Sequence, residues 1–82
     1  MDAPHQLRTA AAEHDDVSIT HREFEETAEL TVDFGADAHA SVDVVGDTAI
    51  VVADDQQYEF DVPEEATEVT TNDGMLIIRS DR

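Results

Sequence analysis

The chain has 82 residues, no cysteine and no lysine, and its 21 acidic residues against four arginines give a formal net charge of −17. This length allows one domain with a small core. The lack of cysteine excludes a disulfide framework, a thiolate nucleophile and a cysteine-based zinc site. Four scattered arginines cannot neutralise a row of phosphates, so we expect no nucleic-acid binding.

The charge predicts a salt-rich environment. Acidic surfaces of this density repel themselves at low salt, whereas molar salt shortens the screening length to about 3 Å. Because acids occur in every segment, we interpret the acidity as adaptation to the cytoplasm of a halophilic archaeon. A surface made for a basic partner, or a DNA mimic, is the alternative. The apolar runs are far shorter than the ~20 residues that span a bilayer, and no signal-peptide pattern is visible, so we expect a soluble cytoplasmic protein without membrane contact.

Residues 1–16 lack the two-residue alternation of the rest of the chain. They predict a flexible N-terminal arm ahead of a domain over residues 17–80. A short helix is the alternative, since Leu7, Ala10 and Ala11 would then share one face. Such a helix is too short to persist unless it packs against something.

From residue 17 onward the pattern is that of β-strands. Apolar and polar residues alternate most regularly over residues 28–34, which predicts a strand with one buried face. Residues 49–52 are apolar on both faces, so we expect a central strand whose second side is sandwiched or covered. Gly46-Asp47 and Asn72-Asp73-Gly74 predict tight turns, the latter because glycine accepts a positive φ without steric cost.

Seven strands are predicted, at residues 17–24, 28–34, 41–45, 48–53, 57–62, 67–71 and 75–78. Seven strands with short turns and no long helix predict an all-β fold. We expect an antiparallel, immunoglobulin-like sandwich of two sheets.

Two motifs lie in residues 57–79. Val62-Pro63-Glu64 ends an aromatic strand, since proline cannot donate to the ladder. The second motif consists of Val69, Asp73, Gly74, Met75 and Leu76. Together they resemble the Leu-Pro-Glu and Ala-x-x-x-Asn-Gly-Val-Leu motifs of the alpha-crystallin domain of small heat-shock proteins. In this chain Val62, Val69 and Asp73 replace the Leu, Ala and Asn of those motifs. The resemblance covers residues 17–78.

Two features of that family's oligomers are absent here. Residues 54–56 alone connect two strands, where many members have a long loop with a strand exchanged between subunits. Four residues follow Ile78, so the family's Ile-x-Ile tail is missing. We therefore expect a monomer or weak homodimer and no large oligomer, in outline similar to the CS-domain co-chaperones.

The resemblance also implies a partner-binding groove. It would run between the strand after the glycine loop and the penultimate strand, lined by Val42 and Val44 on one side and by Val69 and Thr71 on the other. The alternative is that these valines only fill the core. The implied function is an ATP-independent chaperone, or holdase, that captures apolar or extended protein clients at sheet edges. By the same resemblance, the N-terminal arm would serve self-association or client binding. A CS-like adaptor that binds one specific protein partner is the second hypothesis.

The residues predict no enzyme. The four histidines lack the spacing of metal ligands, and the paired acids lie in predicted turns, where water solvates them, whereas acid–base catalysis requires carboxylates in contrasting environments. The three serines lack a Gly-x-Ser-x-Gly context, and no phosphate-binding glycine loop is present. We therefore expect no catalytic residues, no cofactor and no metal.

Overall fold

Alternating apolar residues build two antiparallel sheets in the computed structural model, which describes residues 3–35 and 38–81. The elements are α1 (His5–Glu13), β1 (Ser18–Glu23), β2 (Thr27–Asp33), β3 (Ala40–Val45), β4 (Thr48–Ala53), β5 (Gln56–Asp61), β6 (Ala66–Asn72) and β7 (Met75–Asp81). One sheet has the order β1-β2-β7-β6, and the other consists of the consecutive strands β3-β4-β5. The predicted all-β, two-sheet antiparallel sandwich is confirmed, and each predicted strand coincides with an observed one.

The core lies between the sheets and is built by the two-residue alternation. In β2, Ala28, Leu30 and Val32 are buried while the residues between them remain partly exposed. The fully enclosed side chains are Phe60, Leu7, Leu30, Leu76, Ile78, Val32 and Val51. Burial of each such aliphatic or aromatic side chain contributes about 1.5–3 kcal/mol.

The N-terminal segment closes one open side of the sandwich. Helix α1 lies against β5 and β1, which are edge strands of the two sheets. Leu7 has no exposed surface and Ala10 is 5% exposed, and Gln6 Nε2 donates to Asp61 Oδ2 at 3.4 Å. The predicted shared face of the helix is therefore the buried one.

This differs from the flexible arm expected over residues 1–16. Residues 1–2 lie outside the described part of the chain, and residues 5–13 form the packed helix. The physical reason is that the gap between the edges of β1 and β5 accepts Leu7, which supplies the packing that so short a helix needs.

The turn between β6 and β7 requires glycine for space. Asp73 adopts the left-handed conformation, with φ of 54°, so the expectation that Gly74 supplies the positive φ is corrected. A Cβ atom on Gly74 would lie 2.7 Å from Gly35 O and 2.8 Å from Ala38 O. Gly74 O also accepts a hydrogen bond from Phe34 N at 3.0 Å. The segment after β2 thus passes directly against this turn.

We expect Gly74→Ala to lower the free energy of unfolding by about 1–3 kcal/mol, because two backbone carbonyls must move to admit the methyl group. Urea denaturation in molar KCl measures the change. Asp73→Gly is the matched control, since glycine adopts the left-handed conformation freely, and it should not destabilise the domain. Equal effects of the two variants would contradict the steric explanation.

Candidate protein-binding surface

The β3–β4 hairpin exposes apolar side chains. Val45 is 63% exposed, Val44 46% and Val52 42%, and Ile50 between them is half-buried. Val45, Ile50 and Val52 lie on the outer face of the three-stranded sheet, while Val44 lies on the inner face at the sheet edge. We call these four residues the hairpin patch. Clustered exposed aliphatic residues on a soluble domain mark an interaction surface more often than scattered ones do.

The sequence predicted the position of β4 but not the exposure of the hairpin patch. The apolar run at residues 49–52 predicted a central strand, and β4 is indeed the centre of its sheet. The same run predicted that both faces of the strand would be covered. Among the described residues the outer face lacks such a cover, since Val52 keeps 42% of its surface exposed.

Carboxylates frame the hairpin patch. Asp43 and Glu59 lie on either side of Ile50 in register, and Asp61 lies opposite Thr48. Residues 40–61 contain no lysine, arginine or histidine. The potential over this sheet is therefore negative, which favours apolar ligands that also carry positive charge.

The four residues of the predicted groove lie on the inner faces of two neighbouring edge strands, β3 and β6. Val42 and Val69 are half-buried and pack against the core, in line with the core-filling alternative. Thr71 is half-buried as well. Val44 alone of the four is well exposed, and it is shared with the hairpin patch.

A cleft of about 640 Å³ adjoins the hairpin tip. Its lining combines the apolar residues Pro4, Val62, Pro63 and Ala66 with the acidic residues Asp47, Asp61 and Glu64. Val62 N donates to Asp47 O at 2.8 Å, which ties the hairpin turn to the Val62-Pro63 corner. The cleft therefore lies beside the hairpin turn, at Gly46 and Asp47, and presents apolar contacts together with negative charge.

An aromatic cluster lies at another point of the sandwich. Tyr58 stacks on Phe34 with ring centroids 5.3 Å apart, and His14 meets Tyr58 edge-on at 6.1 Å. Burial of the ring and, to a smaller extent, the charge of Asp16 raise the pKa of Tyr58 above its ordinary value of 10.0. The phenol therefore remains protonated at neutral pH, and the cluster joins the segment after α1 to the core.

Within residues 3–35 and 38–81, no three or more His, Asp or Glu side chains are grouped as a metal-ion site. The helix found in this part of the chain spans nine residues. It is too short and too polar to cross a membrane.

Comparison with known proteins gives one match. No curated protein matches the chain, and no solved structure matches it. One family model matches residues 1–80, a range that contains α1, the strands β1 to β6 and β7 as far as Ser80. The chain therefore belongs to the family of unknown function DUF7127.

Proposed function

We propose that this protein is an alpha-crystallin-like binding protein that holds apolar or extended polypeptide segments without ATP in a high-salt cytoplasm. The observation that carries the proposal is the hairpin patch, which places exposed Val44 and Val45 on an edge strand. An unpaired strand edge binds extended segments through main-chain hydrogen bonds, and adjacent apolar side chains supply the contacts between side chains.

The neighbouring edges of β3 and β6 add support. The resemblance to small heat-shock proteins implies a groove between these two strands, and they lie side by side. Val44 belongs to both surfaces, so a bound segment that pairs with β3 would contact the hairpin patch as well. The acidic residues around the patch would keep the complex soluble.

A CS-like adaptor for one folded partner is the second candidate. It is favoured by the β4–β5 connection, a two-residue turn at Asp54 and Asp55, which leaves no loop for strand exchange between subunits. It is favoured also by the small size of the patch, which suits one docking segment better than many clients.

The test is suppression of client aggregation in molar KCl by the wild type and by the double variant Val45→Thr/Val52→Thr. Threonine keeps the β-branched shape and adds a hydroxyl group, so the strands should remain intact while apolar binding is lost. We expect the wild type to protect the client and the double variant to lose most of that protection. Phe24→Thr, which removes an apolar side chain that is 49% exposed in another turn, is the control and should protect as the wild type does.

Absence of protection by the wild type at stoichiometric excess would reject the holdase. Affinity capture then tests the adaptor hypothesis, which predicts that one stoichiometric partner is captured. Phe24→Thr should still bind this partner, and Val45→Thr/Val52→Thr should not.

A further inference from the structure

The outer face of the four-stranded sheet carries a row of alternating charges. The residues opposite one another in register, from β1 across to β6, are Arg22, Glu29, Arg79 and Glu68. Arg79 is fixed from both sides, because its Nε donates to Glu29 Oε2 at 3.0 Å and its Nη1 to Glu68 Oε1 at 3.3 Å. We call these four residues the charge row. From β1 to β6 its charges are positive, negative, positive and negative.

The remainder of this face is nearly uncharged. On one side of the charge row lie first Thr20, Thr31, Ile77 and Thr70 and then Ser18, Asp33, Met75 and Asn72. On its other side Thr27 pairs with Asp81. Over these rows two arginines, Arg22 and Arg79, stand against four carboxylates, a formal charge of −2, whereas the whole chain carries −17. The repulsion between two copies is therefore weaker at this face than at the other surfaces.

The charge row is complementary to itself. A two-fold axis parallel to the strands, running between β2 and β7, reverses the row in a second copy that is laid face to face. Arg22 of one copy then meets Glu68 of the other, and Glu29 meets Arg79. Every charge of the row meets an opposite charge, and each contact occurs twice, as in an isologous interface. We propose that a second copy of this chain docks on this face, forming a two-fold homodimer.

The outer face of the three-stranded sheet offers no such match. Asp43, Glu59 and Asp61 project there and no basic residue lies within residues 40–61. Two copies packed on that face would bring carboxylates together, which is unfavourable. The homodimer contact is therefore separate from the hairpin patch and leaves the patch accessible.

The size of the face predicts a weak dimer. On this face the four strands lie about 4.8 Å apart and successive rows of side chains about 6.8 Å apart, so three rows give the face an area of about 400 Å². Stable complexes bury about 800 Å² on each partner. The opposite charges of the two charge rows attract each other at contact distance, whereas the net negative charges of the two copies repel over longer distances. Salt weakens this repulsion, because the screening length falls from about 10 Å at 0.1 M salt to about 3 Å at 1 M. Dimerisation should therefore increase with KCl.

Sedimentation equilibrium in about 1 M KCl, at protein concentrations up to about 1 mM, measures the dissociation constant. We expect a reversible dimer for the wild type. Arg22→Glu places a carboxylate against Glu68 of the second copy at two equivalent positions, and should raise the dissociation constant by about tenfold or more. Glu68→Arg should act in the same direction.

The double variant Arg22→Glu/Glu68→Arg separates contacts between copies from contacts within one chain. Within the chain it places like charges beside Glu29 and beside Arg79, so it is worse than either single variant. Between copies it restores opposite charges at both positions. We therefore expect the double variant to dimerise about as well as the wild type.

Circular dichroism establishes that each variant is folded. If a charge-reversal variant is unfolded, the neutral variants Arg22→Gln and Glu68→Gln are used in its place. They should raise the dissociation constant less than the charge reversals do. A wild type that stays monomeric at 1 mM overturns the proposal. So does a dimer that Val45→Thr/Val52→Thr abolishes, or one that weakens further in the charge-swapped double variant. Since the function test uses the hairpin patch alone, the two proposals fail independently.

Discussion

Replacement of Leu7 by alanine is expected to lower the free energy of unfolding by about 2–5 kcal/mol. Leu7 has no exposed surface and belongs to the core cluster between the sheets. The alanine side chain leaves a cavity that the rigid strand edges on either side cannot close. A domain of this size has little stability to lose, so the variant is expected to be partly unfolded at ambient temperature. Thermal and urea denaturation in molar KCl measure the effect.

Thr9→Ala is the matched control, since Thr9 is exposed on the same helix. It should change stability by no more than about 0.5 kcal/mol. A free arm would make both variants neutral. Equal and small effects of Leu7→Ala and Thr9→Ala would therefore contradict the packed helix.

The second large effect is that of salt. Two like charges 10 Å apart repel by about 0.4 kcal/mol in water, and the chain carries 21 acidic residues against four arginines. Screening of about five such pairs contributes about 2 kcal/mol, which for a domain of this length raises the melting temperature by about 10 °C. We expect the melting temperature to rise by at least this amount between about 0.01 M and 1 M KCl.

Glu64→Gln/Glu65→Gln tests the cause of the salt effect. Both residues are exposed in the turn between β5 and β6, so their neutralisation relieves repulsion without loss of packing. The variant should melt above the wild type at low salt and close to it in molar KCl. An unchanged melting temperature of the wild type across this range would remove the argument for a high-salt environment.

β2 was predictable because it has one buried and one wet face: alternation in residues 28–34 places Leu30 and Val32 in the core. The strand at residues 48–53 was instead predicted from an apolar run bounded by turn residues. The packed helix was harder to predict, because a helix this short does not persist alone and Leu7 finds its partners only once β1 and β5 are in place. Helical periodicity alone does not show that such a gap exists.

The binding surfaces depend on information that the sequence lacks. The apolar run at residues 49–52 predicted two covered faces, and only the arrangement of the sheets shows that no part of residues 3–35 and 38–81 covers the exposed Val52 on the outer one. The charge row likewise depends on register, since Arg79 lies 50 residues after Glu29 and a shift of one residue in any strand would turn its charged residue to the other face.

The pairing of β2 with β7 has a consequence for folding during synthesis. β2 begins at Thr27 and its partner β7 ends at Asp81, so the centre of the larger sheet cannot assemble until that last strand has left the ribosome. The smaller sheet consists of three successive strands joined by short turns and is able to form earlier, because its pairings are local. The apolar inner face of that early sheet stays exposed until β2 and β7 have formed the second sheet. The nascent chain is most prone to aggregate during this interval.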